Sequence, residues 1–205
     1  MAPVYDLVNT FLFSLFLTRE RGVRDMTLDL AQVKAGDCVL EVGCGTGSLT
    51  LLATKRVGAS GEVHGIDAAP EMIAAARRKF ERAGASADLQ VGRMDAIPFP
   101  DARFDVVLAS FMIFHMDEVT RRSGLLEVHR VLKPGGRLLI LDFEPPDKGY
   151  RRFVANVILG HLLGGANMLR HTVQELRPLL EGAGFAGVET GGTRYQVIGV
   201  ARATR

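Results

Sequence analysis

Residues 41–47, EVGCGTG, set three glycines at alternate positions behind an acidic residue, at the end of the short apolar run VLEV. Glycine lets a chain turn sharply and lets a ligand approach the peptide plane. The amides that open the helix after such a turn attract a negative group such as a carboxylate. Asp67 follows 20 residues after Gly47, where an acid on the neighbouring strand can accept both hydroxyl hydrogens of a ribose. Asp95, at the end of a third predicted strand, could accept from an exocyclic adenine amine. A glycine turn followed by two acids so placed describes a pocket for a nucleoside cofactor.

The other candidate chemistry is proton transfer. His115 follows the fourth predicted strand at the rim of that pocket and is the first candidate for a general base. His161, His171 and Tyr150 are weaker candidates. The bland alternative for His115 is a packed or exposed loop histidine. No HExxH pair occurs, and Cys38 and Cys44 are six residues apart, which is not a CxxC spacing. The expectation is two reduced thiols in a cytoplasmic protein and no metal site.

These groups need a scaffold, and the apolar patterning supplies one. Strands are predicted over 38–42, 62–66, 88–92, 104–109 and 137–142, and helices over 46–57, 70–83 and 117–132, the last closed by Lys133, Pro134, Gly135 and Gly136. Pro70 stands in a first helical turn, where its missing donor does no harm. Strands alternating with helices point to a parallel sheet covered on both faces. Thr172 with Glu175 three residues on reads as a capping box opening another helix. Two strands follow, around Val188 and over 195–201, with a tight turn placed at Gly191 and Gly192. So short a connection makes them antiparallel. The expected architecture is a Rossmann-like α/β fold, a mostly parallel seven-stranded sheet with a C-terminal antiparallel hairpin.

A chain of 205 residues is read as one domain. Its expected parts are an N-terminal helical cap over 1–34, a cofactor-binding core over 35–143, a substrate-side insertion over 144–171 and a C-terminal helix and hairpin over 172–205. Residues 4–31 read as helical in two segments broken near Gly22. A net charge of +2 gives no case for nucleic acid. Residues 11–17, FLFSLFL, have no basic segment before them and are too short to span a bilayer. An apolar helix lying over the domain or over a membrane surface fits. That run, the stretch 111–114 and the stretch 154–169 form the expected apolar walls for a small apolar substrate. Alternatively they cover the domain or form a homodimer interface.

A dinucleotide turn, GxGxxG/A, needs Gly or Ala at position 48, where this chain has Ser48. The segments EVGCGTG (41–47), IDAAPEM (66–72), GRMDAIPFPDARFDVVLAS (92–110) and LLEVHRVLKPGGRLLILD (125–142) instead resemble the successive motifs of class I S-adenosylmethionine-dependent methyltransferases. Within that superfamily, PFPDARFDVV and EVHRVLKPGGRL are similar to the ubiquinone/menaquinone biosynthesis C-methyltransferases, as is YDLVN (5–9) to their opening motif. The resemblance implies S-adenosylmethionine as cofactor. Gly43, Cys44, Gly45 and Gly47, with Glu41 ahead of them, would wrap its methionine part. Asp67 would hold the ribose, Ala68 and Met72 would line the adenine, and Asp95 and Ala96 would address its edge. Ser110 would face the reacting centre, and Tyr5 would close over the cofactor. The acceptor would be a quinol precursor, a lipid or an aromatic natural product. A non-catalytic cofactor-binding regulatory module and a nucleotide-dependent oxidoreductase are the alternatives.

Overall fold

Strand β1 (Cys38–Val42) is buried on both faces, as its unbroken apolar pattern requires. It lies between β2 (Glu62–Asp67) and β4 (Phe104–Ser110), parallel to both. The full order is β3-β2-β1-β4-β5-β7-β6, with β3 (Asp88–Val91), β5 (Leu132–Phe143), β6 (Ala186–Gly192) and β7 (Ile198–Thr204). Only β7 runs against its neighbours, pairing antiparallel with both β5 and β6. The structure, a computed structural model, describes residues 20–144, 171–195 and 198–205.

After β3 the chain crosses back to place β4 on the other side of β1. That reversal opens a crevice beyond the carboxyl ends of β1 and β4, where open α/β sheets bind ligands. The helices hold the sheet from both sides. Helix α1 (Glu20–Leu30) and α2 (Ser48–Val57) bury Leu28, Leu49, Ala53 and Val57 against Val39, Val106, Leu108 and Leu139. Helix α3 (Pro70–Ala83) buries Ile73, Ala76 and Phe80 against Leu89 and Cys44. On the opposite face α4 (Glu118–Val131) and α5 (Leu176–Gly182) bury Leu125, Val128, Leu176 and Leu180 against Leu40, Phe104, Val107 and Ile140. Burying each such Leu, Ile or Phe contributes about 1.5–3 kcal/mol, so both faces of β1 and β4 are firmly held beneath the crevice.

Several boundaries differ from the sequence expectation. Helix α1 runs through Gly22 without a break. A side chain there would stand 3.0 Å from the Tyr195 hydroxyl, so this glycine serves a close approach instead. Helix α2 opens at Ser48, two residues late, because Gly47 is left-handed (φ 74°) and cannot be helical. Helix α4 ends at Val131, but the Lys133–Gly136 stretch continues into β5, pinned by Gly135 N–H to Arg205 O and Arg205 N–H to Gly136 O. Gly191 and Gly192 lie in β6, held extended by pairing with Val200 and Gly199. The hairpin closes later, where Thr193 N–H bonds Ile198 O at 2.9 Å. The 11–17 and 154–169 walls, Tyr5, Tyr150 and His161 lie outside the described residues.

Candidate active site

The turn after β1 is built from three left-handed glycines: Gly43 (φ 68°), Gly45 (φ 53°) and Gly47 (φ 74°). A side chain at Gly43 would meet Met112 Cγ at 2.9 Å, and one at Gly47 would meet Ala76 Cβ at 3.0 Å. At Gly45 it would meet nothing within 4 Å. The middle of the turn therefore faces open space, with packed protein on either side.

Asp67 fastens this turn to β2. Its carboxylate accepts from Gly45 N–H at 2.8 Å and from Ala69 N–H at 2.9 Å. Each carboxylate oxygen retains a further acceptor site, so Asp67 can still receive ribose hydroxyls. Ala68 is exposed beside it, and Met72 is half-buried. Gly92 N–H bonds Asp67 O at 3.0 Å, so the segment that carries Asp95 leaves from the same corner. The Asp95 carboxylate forms a bidentate pair with Arg93, at 2.8 and 2.7 Å, and this hydrogen bonding holds it below the usual carboxylate range. Ala96 is exposed and bridges Arg93.

Beneath the turn, Glu41 is buried and accepts from the Thr50 hydroxyl of α2. Burial pushes its carboxyl up to about 7, against the pull of that hydrogen bond and of Arg24. Cys44 is buried as well, and burial raises its thiol far above the ordinary value. It stays protonated, so Cys44 can serve a ligand through its backbone and is no nucleophile.

The segment after β4 forms the other lip. Ser110 closes the strand with a buried hydroxyl that has no hydrogen-bond partner. Phe111 follows at φ 54°, left-handed backbone that a bulky residue adopts only under constraint. Its N–H bonds Leu141 O at 2.7 Å. A 3-10 turn then spans Ile113–His115. Asp142, at the end of β5, holds that turn by accepting from Ile113 N–H at 3.0 Å and Phe114 N–H at 3.3 Å. Burial raises the Asp142 carboxyl to about 6, opposed by bonds from the Phe143, Phe114 and Ile113 amides. His115 is exposed, and partial desolvation lowers its pKa, which favours the neutral, proton-accepting imidazole. His171 is engaged elsewhere: it bonds Glu175 at 2.8 Å and its ring stacks on Phe114. Of the stretch 111–114 expected to line a substrate wall, Ile113 and Phe114 are buried in the core. A turn reverses the chain there, so only Phe111 and Met112 stay half-buried.

The sequence reading did not single out Thr50, Asp142 or Phe143, and named Phe111 only as part of the 111–114 wall. Asp142 alone left a trace, as a charge closing the apolar run LLILD. Another grouping lies at the amino ends of the strands, away from the crevice. Parallel pairing of Cys38 with Glu62 brings Cys38, Glu62 and His64 ligand atoms within 4.8 Å of one another, which their spacing in the chain concealed. Arg103 donates to Glu62 at 3.0 Å and reaches His64 Nε2 at 3.3 Å, while Asp88 meets Nδ1 at 3.2 Å. These groups form a charge network.

The crevice at the strand-order reversal, the glycine turn and the acid on the next strand define a nucleoside-cofactor enzyme of the Rossmann-like class. The profile of a methyltransferase domain matches residues 39–136. The demethylmenaquinone methyltransferase of Thermus thermophilus is 39% identical over 172 residues, covering 80% of this chain and 76% of that one. A ubiquinone/menaquinone biosynthesis C-methyltransferase of Escherichia fergusonii is 30% identical, covering 92% and 81%. A SAM-dependent methyltransferase from Aquifex aeolicus superposes with a TM-score of 0.73 at 24% identity, covering 99% and 97%. The chain belongs to the class I S-adenosylmethionine-dependent methyltransferases and, within them, is similar to the ubiquinone/menaquinone biosynthesis C-methyltransferase family. Its cofactor is S-adenosylmethionine. The open face of Gly45 and the partnerless Ser110 hydroxyl fit such a ligand.

Proposed function

We propose that the protein methylates a carbon of a small apolar quinol precursor of the demethylmenaquinol type. The observation that carries this reading is the 39% identity to a demethylmenaquinone methyltransferase over four-fifths of the chain. The relatives are named as methyltransferases, which favours turnover over a regulatory module or hydride transfer.

The bound cofactor supplies an electrophilic methyl group on a sulfonium, ready for direct displacement. The protein's task is then alignment and exclusion of water, which can be worth about 7–11 kcal/mol. In this reading the backbone of Gly43, Cys44, Gly45 and Gly47 wraps the methionine part, above Glu41. Asp67 takes the ribose, Ala68 and Met72 line the adenine, and Asp95 with Ala96 meets its edge. Ser110 faces the reacting centre and Tyr5 closes over it. His115 accepts the proton that the quinol loses as its ring carbon becomes nucleophilic. Residues 1–34 act as cap, 35–143 as cofactor core, 144–171 as substrate-side insertion and 172–205 as closing helix and hairpin.

Among the described residues no helix is long and apolar enough to cross a membrane. We place the reaction in the cytoplasm, on an acceptor presented by the lipid phase. The test is incubation with methyl-labelled cofactor and a short-tailed demethylmenaquinol, read by mass spectrometry. A product heavier by one methylene is expected. Tight binding of S-adenosylhomocysteine with no labelled product would remove the reading.

A further inference from the structure

Cys38, Glu62 and His64 converge because of strand register. Cys38 is the register partner of Glu62 in the parallel β1–β2 pair, and His64 lies two residues further along β2. Residues two apart in a strand share a face, so all three side chains stand on one side of the sheet at its amino rim. Their ligand atoms lie within 4.8 Å of one another. Glu62 Oε2 is 3.3 Å from His64 Nε2 and 4.0 Å from Cys38 Sγ. The imidazole is buried and held in place. Phe99 and Phe104 pack against its ring in T-shaped contacts at 5.1 and 5.3 Å, and Asp88 meets Nδ1 at 3.2 Å. One guanidinium nitrogen of Arg103 donates to Glu62 at 3.0 Å and approaches His64 Nε2 at 3.3 Å. A donor at Nε2 and a carboxylate at Nδ1 put the ring proton on Nδ1, which leaves the Nε2 lone pair for a cation. The Arg103 guanidinium already bridges Glu62 and His64 as that cation.

We propose that Cys38, Glu62 and His64 bind a zinc ion in exchange for the Arg103 guanidinium. A thiolate, an imidazole and a carboxylate together suit zinc. A tetrahedral zinc with bonds of about 2.0–2.3 Å holds its ligand atoms about 3.3–3.6 Å apart. Glu62 and His64 already stand at that spacing, and the half-buried Cys38 sulfur has a short distance to close. Asp88 then steadies the ligating imidazole from its far side, as carboxylates do for metal-bound histidines. Arg103 can leave, because its side chain is 36% exposed and its Nε has no hydrogen-bond partner. The Cys38 thiol releases its proton to solvent as the sulfur binds. A cleft of about 330 Å³ lined by Glu62, His64 and Asp88 lies beside the cluster. It gives the ion a path from solvent and leaves room for a water as fourth ligand. The ion joins the starts of β1 and β2 at the rim opposite the cofactor crevice, so its effect is on stability, whatever acceptor is methylated.

The full chain, untagged and stripped of metal, is titrated with zinc chloride by calorimetry, and Tm is followed with and without the ion. Cobalt(II) is added in parallel, because a thiolate ligand gives it a charge-transfer absorption band. One zinc per chain is expected, with a rise in Tm and a cobalt complex that shows the band. Cys38→Ser, a near-isosteric change at a half-buried position, should bind zinc at least tenfold more weakly and lose the band. Arg103→Ala removes the competing guanidinium and should bind zinc at least threefold more tightly, a gain that a misfolded variant cannot produce. Absence of zinc binding by the wild type, unchanged affinity in Cys38→Ser, a cobalt complex without the thiolate band, or no tightening in Arg103→Ala would each overturn the proposal. Zinc held only by scattered surface carboxylates and histidines would show itself as unchanged affinity in Cys38→Ser.

Discussion

Alanine at Gly45 and alanine at Gly47 make the same chemical change two residues apart, and the structure assigns them different fates. Both positions are left-handed, at φ 53° and 74°, so each substitution costs about 1–2 kcal/mol in backbone strain. At Gly47 the new Cβ also meets Ala76 Cβ at 3.0 Å and Phe80 Cε2 at 3.2 Å. Overpacking of that kind adds about 1–3 kcal/mol. At Gly45 the Cβ enters open space. For a chain of this length 1 kcal/mol moves Tm by about 2–4 °C. Gly45→Ala should therefore stay folded, with Tm lowered by about 2–8 °C, while Gly47→Ala falls further. Cofactor affinity should reverse that order. The Gly45 methyl group occupies the cleft and should weaken S-adenosylhomocysteine binding at least tenfold, about 1.4 kcal/mol. Differential scanning and titration calorimetry on both variants provide the check. Wild-type affinity in a folded Gly45→Ala would show that the open side of the turn is not where the cofactor lies.

His115→Ala should lower turnover more than tenfold while cofactor affinity stays within twofold; equal turnover in a quinol assay would dismiss His115 as base. Asp142→Ala frees the Ile113 and Phe114 amides and should cost about 1–3 kcal/mol in denaturant unfolding; an unchanged midpoint would mean the turn stands without it. The Glu41 carboxyl is raised by burial to about 7 and that of Asp142 to about 6. Their folded values exceed the unfolded ones, so the stability they contribute is complete below about pH 4 and is lost as pH rises through 6 and 7. His115 and His129, both lowered by desolvation, act in the opposite sense and add stability as pH rises towards their unfolded value. Glu41→Gln isolates one acid: relative to wild type its stability should improve between pH 5 and 8 by up to about 3 kcal/mol, and parallel pH curves would refute the assignment.

The parts of the molecule legible in the sequence are those whose signal is local. Helix α3 runs from Pro70 to Ala83 as read, because its proline start and its glycine at position 84 (φ 60°) act within one turn. Strand β4 is visible as FDVV because burial on both faces removes alternation. The glycine turn and Asp67 are legible because their spacing is itself the geometry. What failed to read depends on distant partners. Gly191 and Gly192 look like a turn until β7 pairs with them, and Gly22 looks like a break until Tyr195 arrives across the fold. Cys38, Glu62 and His64 meet only through strand register. Asp142 is an ordinary letter in its own segment, and only the carboxylate reaching back under Ile113 sets it apart. Phe111 read as part of an apolar wall, but its φ of 54° left no sign in the sequence.

The two rims of the sheet carry different chemistry. At the amino rim the charges are matched: Lys133 holds Asp105 at 2.9 Å, Asp105 also takes Cys38 N–H at 2.9 Å, and Arg103 binds Glu62 at 3.0 Å. Cys44, Glu41 and Asp142, at the carboxyl rim, are instead buried acids with raised pKa values. Three left-handed glycines, a left-handed phenylalanine and a partnerless serine hydroxyl lie with them. A ligand seated at the ends of β1, β4 and β5 would offer the Ser110 hydroxyl a partner, and cofactor binding should raise the stability of this protein. The Tm rise on adding S-adenosylhomocysteine should accordingly shrink in Gly45→Ala, where the ligand can no longer seat against the turn.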